Sequence, residues 1–334
     1  MGRPDLGTLA RPAARGMTTA PSPTDTGETM HDSSFIVRIG HFKCGTTFFN
    51  QAFFPQHPQI NFLGKPFPQG DAMWTVLEQI AGLRDFDAAF CRGEVAARLE
   101  TGTPERRLAA LSDGRFAEPR HPDFDHLPER LKQVTGPNTL ILFTVRHPVD
   151  LVASLYTQSV GTGKTRDSFQ KWLDDNWADN QDILGMISYG RVAETFARTF
   201  GAERLLINSL ETLRAEPAAF ARDLAHRCGL DEARTVALFD QKPRNRRMSR
   251  LQTRLSASPA LYGLARRLWH ALPDGLRPLA GRLSGHGQAF VPEIPASVRH
   301  RILDSSRPEI ERLCAVANLP AARLGFDLDA PPAG

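Results

Sequence analysis

A lysine followed by a glycine and two threonines stands between an apolar run and a helical stretch near the start of the chain. In the stretch GHFKCGTT, Lys43, Gly45, Thr46 and Thr47 follow the mostly apolar run SFIVRI, residues 34–39. A glycine-containing turn that leaves a buried strand and opens a helix directs backbone N–H groups and the positive end of the helix dipole at one point. We therefore predict a site for phosphate or sulfate, with the Lys43 ammonium and the threonine hydroxyls as its strongest donors.

A second group of candidate residues follows the apolar run TLILFTV, residues 139–145. Arg146 comes directly after this run, and Ser154 lies further on in the helical stretch VDLVASLYTQSV. A guanidinium binds an oxyanion through two parallel hydrogen bonds, and a serine hydroxyl can add a third donor. If the two apolar runs are neighbouring parallel strands, their carboxyl ends bring both groups to one crevice. The sequence thus predicts two adjacent anion-binding groups.

Three strand-to-helix units determine the expected fold. The apolar runs SFIVRIG, TLILFTV and RLLINSL each precede a segment with helical periodicity. Repeated units of this kind are typical of a parallel sheet covered by helices. We predict an α/β fold with a central parallel sheet flanked by helices on both faces. Residues 70–118 show helical patterning, and HPDFDHLPERL is predicted to be a polar loop.

The domain organisation follows from composition. Residues 1–33 are rich in Pro, Thr and Gly and predict a disordered N-terminal tail, with Met30 as an alternative start to Met1. Residues 34–330 carry the predicted strands and helices, and we expect them to form a single catalytic domain.

Charge and cysteine content narrow the class of protein. The chain of 334 residues has a net charge of +4, which suits an anionic ligand but falls short of the dense basic runs of a nucleic-acid-binding protein. Its 4 cysteines have no CxxC spacing, so neither a zinc site nor a disulfide framework is indicated. No apolar run of about 18 residues and no signal peptide occur, and we predict a soluble, cytoplasmic protein without a membrane span.

The spacing around Lys43 distinguishes this loop from the phosphate-binding loop of nucleoside triphosphatases. In the Walker pattern G-x-x-x-x-G-K-[ST] the lysine follows the second glycine, whereas Lys43 precedes Gly45. The second strand also ends in Arg146 rather than in an acidic residue that could bind magnesium. A metal-free anion site fits these residues better than a P-loop kinase, which stays as an alternative.

Taken together, FKCGTT and VRHPVDLVAS resemble the two cofactor motifs of the sulfotransferases that use 3′-phosphoadenosine 5′-phosphosulfate (PAPS). The resemblance extends more weakly over residues 35–328 and implies a P-loop-like sulfotransferase architecture without a metal. It also implies two sets of cofactor contacts. These are Lys43, Gly45, Thr46 and Thr47 for the 5′-phosphosulfate, and Arg146 and Ser154 for the 3′-phosphate. Lys43 is expected to neutralise the charge that develops on the leaving phosphate.

The catalytic base is less clearly marked. Carbohydrate-type members of the family carry a glutamate near the position of Lys65, and a lysine can act as a base only if desolvation or neighbouring cations lower its pKa. We favour a binding role for Lys65. Cytosolic-type members use a histidine ahead of the second motif, where this chain offers His121 and His126. Histidine suits general-base work near neutral pH, and we favour His121.

Two later segments also enter the resemblance. The basic stretch KPRNRRMSR is similar to a loop that closes over the cofactor, which makes Arg244 and Arg246 candidate contacts of the 3′-phosphate. Glu211, in INSLETL, matches one position of a Tyr-Glu-Asp-Leu-like sequence that members of the family often show, and its role stays open.

The sequence therefore predicts a PAPS-dependent sulfotransferase that moves a sulfuryl group to a hydroxyl or amine of a carbohydrate, lipid or small-molecule acceptor. The alternatives are a P-loop kinase-like phosphotransferase and a catalytically inactive module that binds a nucleotide or polyanion. No nucleic-acid partner is expected, and the acceptor and the oligomeric state are not legible from the sequence.

Overall fold

The structure is a computed structural model that describes residues 34–103, 105–179, 182–240 and 292–326. The predicted tail of residues 1–33 and the candidate cofactor contacts Arg244 and Arg246 lie outside these ranges. The prediction of one catalytic domain over residues 34–330 stays a prediction.

A five-stranded sheet forms the centre of the described part of the chain, in the order β2-β3-β1-β4-β5. Every strand pair in it is parallel. The strands are β1 Phe35–Ile39, β2 Ile60–Phe62, β3 Leu108–Ser112, β4 Thr139–Val145 and β5 Leu205–Ser209. The parallel sheet with surrounding helices confirms the predicted α/β fold.

Helices connect the parallel strands, as a parallel sheet requires. They are α1 Thr46–Phe48 with a π-helical continuation Phe49–Phe53, α2 Ala72–Ile80, α3 Ala88–Glu100, α4 Leu127–Thr135, α5 Pro148–Gly161, α6 Phe169–Asn176, α7 Ile183–Met186, α8 Tyr189–Phe200, α9 Leu210–Ala215, α10 Pro217–Cys228, α11 Glu232–Phe239 and α12 Ala296–Ala317.

The two faces of the sheet bury separate apolar clusters. Successive side chains of a strand point to opposite faces, so strands that are covered on both sides are apolar throughout. Val37 and Phe143 belong to the larger cluster. Ile36 and Leu142 belong to the smaller one, together with Phe49 of the π-helical turn. The helical segment after β1 therefore packs on the sheet face that carries the smaller cluster, and this packing fixes the loop between β1 and α1.

Two strands and one helix differ from the sequence-based expectation. The short β2 was not predicted, and β3 lies within residues 70–118, for which helical patterning was predicted. The β3 sequence LAALS has no β-branched residue, and its conformation follows from pairing with β1 on one side and β2 on the other. HPDFDHLPERL was predicted to be a loop, but its last residues form the first turns of α4.

Among the helices of the described residues, none combines the length and the apolar character that crossing a membrane requires.

Candidate active site

The loop between β1 and α1 has an unusual backbone. Gly40 has φ 133°, and a Cβ atom at this position would lie 2.5 Å from the carbonyl oxygen of Thr144 in β4. Because real Cβ atoms do not approach backbone so closely, only glycine fits where the loop passes β4. Lys43 has φ 72° and Gly45 φ 82°, both in the left-handed region. Lys43 is thus a strained residue in the middle of the predicted anion site.

The N-terminus of α1 is available to an anion. Gly45 is its N-cap residue, no side chain of the described ranges caps the helix, and its first turn contains no acidic residue. The hydroxyl of Thr46 is buried and has no hydrogen-bond partner among the described residues. Backbone N–H groups at a helix start need partners, and a buried hydroxyl without one is costly. The residues present therefore fit a phosphate or sulfate group.

Arg146 lies beside this loop. It follows β4, which pairs with β1, and its Nη1 donates to the carbonyl oxygen of Lys43 at 3.4 Å. The side chain is almost fully buried, and its Nε has no partner among the described residues. The hydroxyl of Tyr189 donates to the Arg146 carbonyl at 2.8 Å and fixes the backbone at this point. The structure thus brings together the two groups that the sequence placed at separate strand ends.

The two cations influence each other electrostatically. Desolvation and then the positive charge of Arg146 lower the pKa of Lys43. The carboxyl group of Glu211 lies in the same neighbourhood, where burial raises its pKa and where backbone N–H groups and Arg146 act in the opposite direction. A bound anion would relieve the repulsion between Lys43 and Arg146.

Ser154 lies on the second turn of α5, the helix that begins two residues after Arg146. It is half-buried. The carboxyl end of β4 is thus followed directly by Arg146 and then by the helix that carries Ser154.

Lys65 contacts an acidic residue rather than other cations. Its ammonium lies 2.9 Å from a carboxylate oxygen of Asp113, which follows β3, and 4.6 Å from the centre of the Trp74 ring. Asp113 is buried and also accepts hydrogen bonds from Arg115. Burial raises the pKa of Asp113, but Arg115 and Lys65 outweigh this effect and lower it overall. The neighbouring charge is the opposite of what base activity of Lys65 requires.

The two candidate histidines occupy different positions in the segment after β3. His121 is half-buried, and its Nδ1 accepts a hydrogen bond of 3.3 Å from the backbone N–H of Asp123. His126 is exposed and is the N-cap residue of α4. Since β3 is the other neighbour of β1, His121 belongs to a loop at the same end of the sheet as Lys43.

Comparisons with known proteins decide the family. The model of the sulfotransferase domain matches residues 34–254, which include both anion-binding motifs. The chain belongs to the sulfotransferase domain family. It is a transferase that moves a sulfuryl group.

A solved structure supports the same fold. The sulfotransferase from Alicyclobacillus acidocaldarius has a TM-score of 0.54 at 17% sequence identity, and the match covers 88% of this chain and 98% of that one. A search of curated proteins gave no match.

The sequence-based reasoning did not single out Arg38, which this sulfotransferase buries completely in β1. Its Nη2 donates to the carbonyl oxygen of Cys44 at 2.7 Å, immediately between Lys43 and Gly45. The signal that could have identified it is a charged residue inside the apolar run FIVRI, since charged side chains are rarely fully buried.

His41 was also not singled out. It is buried in the sulfotransferase loop, and neither of its ring nitrogens has a hydrogen-bond partner among the described residues. Burial and then the positive charge of Arg120 lower the pKa of His41 to about 3, so its imidazole is neutral at physiological pH. No sequence pattern distinguished this histidine from a surface one.

Proposed function

We propose that this sulfotransferase transfers the sulfuryl group of PAPS to a hydroxyl or amine of an acceptor. The observation that carries the proposal is the approach of Arg146 to the backbone of Lys43 at the ends of two adjacent strands. Two cations in one crevice suit a ligand with two anionic groups. PAPS has such groups at its 5′ and 3′ positions.

The residues divide into two sets in this proposal. Lys43, Gly45, Thr46 and Thr47 hold the 5′-phosphosulfate, for which the uncapped helix start and the Thr46 hydroxyl provide donors. Arg146 and Ser154 hold the 3′-phosphate. Arg244 and Arg246, outside the described residues, stay predicted contacts of the same phosphate. When bound, PAPS supplies an activated sulfuryl group and leaves as adenosine 3′,5′-bisphosphate (PAP).

Lys43 has the central catalytic role. Its ammonium neutralises the negative charge that accumulates on the 5′-phosphate as the sulfuryl group departs. This interaction is stronger in the transition state than in the ground state, and such a difference accelerates the reaction. The strained backbone of Lys43 is consistent with a conformation kept for function rather than for stability.

The acceptor binds on the β3 side of the loop in this proposal. Lys65, held by Asp113 and the Trp74 ring, contacts the sulfuryl oxygens or an acidic group of the acceptor. His121 is the general base that removes the proton of the acceptor hydroxyl or amine. Because Nδ1 accepts the Asp123 bond, the proton of the neutral imidazole lies on Nε2. In this proposal the Asp123 bond therefore opens when the acceptor binds, and Nδ1 takes the proton.

A transfer assay tests the proposal. Purified protein is incubated with radiolabelled PAPS and a panel of sugars, phenols and lipids, with and without added magnesium and a chelator. We expect a sulfated product whose rate does not depend on magnesium. Phosphorylation of an acceptor by ATP would support the kinase reading instead, and tight binding of PAP without any sulfated product would indicate an inactive binding module.

The assignment of the base has a matched pair of variants. His121→Asn should abolish most of the transfer with little effect on the affinity for PAP, and His126→Asn should behave like the unmodified protein. The reverse order of effects would move the base to His126.

A further inference from the structure

Arg38 is a buried cation inside an otherwise apolar strand. The other residues of β1 are Phe35, Ile36, Val37 and Ile39, and all five residues of the strand are buried. In a parallel sheet, paired residues of neighbouring strands point to the same face, so Arg38 shares its face with Ser112 of β3 and Leu142 of β4. On that face its guanidinium lies 5.3 Å from the centre of the Phe49 ring.

The Arg38 guanidinium binds the backbone of the loop between β1 and α1. Its bond to the carbonyl oxygen of Cys44 is a short, charge-assisted one of 2.7 Å. In a trans peptide unit the C=O and the following N–H point in opposite directions. Because the Cys44 carbonyl points at Arg38, the N–H of Gly45 points away from it. Arg38 thus fixes the orientation of a backbone donor beside Lys43.

No carboxylate of the described residues forms an ion pair with the Arg38 guanidinium. Its Nε and Nη1 have no hydrogen-bond partners among the described residues, and the hydroxyls of Ser112, Thr144 and Thr46 are also buried without partners. Burial lowers the pKa of Arg38 to about 10, and the nearby Cys44 opposes this shift. The guanidinium therefore stays charged at neutral pH, although a buried charge without a partner is costly.

We propose that Arg38 is a positioning residue of the donor site, which orients the loop through Cys44 and supplies a buried positive charge behind the 5′-phosphosulfate. The inference rests on the proposed function. An anion in front of the loop provides the counter-charge that the described residues do not. Arg38 does not touch the reacting atoms, and it acts through the peptide between Cys44 and Gly45 and through its field, which a low-dielectric interior transmits well.

Three nucleotides separate this role from a purely structural one. The ratio of the Kd values of adenosine 3′-monophosphate and PAP measures what the 5′-phosphate adds to binding. The ratio of the Kd values of adenosine 5′-monophosphate and PAP measures what the 3′-phosphate adds. In Arg38→Met we expect calorimetric titrations to show about a tenfold fall of the first ratio and no change of the second. Thr144→Val, which removes a buried hydroxyl on the same face, should leave both ratios unchanged.

Other outcomes overturn the inference. Equal weakening of all three nucleotides in Arg38→Met would mean a structural role only, and three unchanged Kd values would mean that Arg38 plays no part in the donor site. If circular dichroism shows that Arg38→Met is unfolded, Arg38→Lys decides the question. Arg38→Lys keeps the charge without the planar fork, and its ratio of the Kd values of adenosine 3′-monophosphate and PAP should fall about threefold. A ratio equal to that of the unmodified protein would contradict the proposal. Failure of PAP to bind the unmodified protein would instead refute the proposed function and the inference with it.

Discussion

The guanidinium of Arg146 donates to the carbonyl oxygen of Lys43 at 3.4 Å, across the ends of the adjacent strands β4 and β1. This contact joins two motifs that lie far apart along the chain. The same guanidinium keeps its buried Nε without a partner among the described residues. Arg146 therefore both holds the loop and retains a donor for a ligand.

Loss of Arg146 should weaken binding of PAP. Removing one partner of a buried charge pair costs roughly 2 kcal/mol or more, and we expect at least this loss in Arg146→Ala by calorimetric titration. Arg222, an exposed arginine of α10 that pairs with Glu232, supplies the control. Arg222→Ala should bind PAP as the unmodified protein does. Similar affinities of both variants would remove Arg146 from the site.

The strain at Lys43 makes a second prediction, because charge and backbone can be altered separately. Lys43→Gly relieves the left-handed conformation and should raise the free energy of unfolding by about 0.5–1 kcal/mol in urea titrations. Lys43→Ala keeps the strain and should not stabilise the protein. Both variants lose the ammonium, and both should reduce the rate of sulfuryl transfer by about 100-fold or more. A stable and fully active Lys43→Gly would contradict the catalytic role of the ammonium.

The pH dependence of PAP affinity follows from the lowered pKa of Lys43. A bound phosphate favours the charged ammonium, so the pKa of Lys43 is higher in the complex than in the free protein. Affinity is then greatest where Lys43 is protonated in both states, and it declines as pH rises through the lowered pKa of the free protein. Titrations from about pH 7 to pH 10 should show this decline. Lys43→Ala should give a flat profile, and a decline of equal size in that variant would assign it to another group.

The Asp113 carboxylate should stabilise the fold through Arg115 and Lys65. We expect Asp113→Asn to lower the free energy of unfolding by about 2 kcal/mol at neutral pH. Because the folded state depresses the pKa of Asp113 below 3.8, this stabilisation is present above that value and is lost as pH falls through the lower, folded-state pKa. The difference between the two proteins should therefore shrink in strong acid.

Asp125 provides the matched control for this measurement. It is exposed and lies 3.6 Å from Arg191. Asp125→Asn should change the stability by less than about 0.5 kcal/mol. Equal losses in the two variants would show that the Asp113 contacts contribute no more than a surface ion pair.

The sequence allowed the prediction of those features that depend on local pattern. The apolar runs of β1, β4 and β5 and the glycine turn before Thr46 are continuous in sequence, and Lys43 and Arg146 follow from their ends. In contrast, β3 is a strand because two other strands pair with it, and five small or apolar residues do not reveal this. Pairing of this kind depends on the whole fold rather than on local propensity.

The candidate site shows the same division. Lys65 was predicted as a cofactor or acceptor contact, but its partner Asp113 could be found only when the fold brought the two together. Arg38 was not singled out from the sequence, although it is a charge in an apolar strand, and its bond to Cys44 depends on the way the loop folds back over β1. Burial and orientation of single polar groups thus required the structure.

A crystal structure of the protein with PAP tests the central claim most directly. The account predicts a single nucleotide whose 5′-phosphate contacts the ammonium of Lys43 and the start of α1, and whose 3′-phosphate contacts the guanidinium of Arg146. A nucleotide bound elsewhere, or one that reaches only one of these two cations, would contradict it.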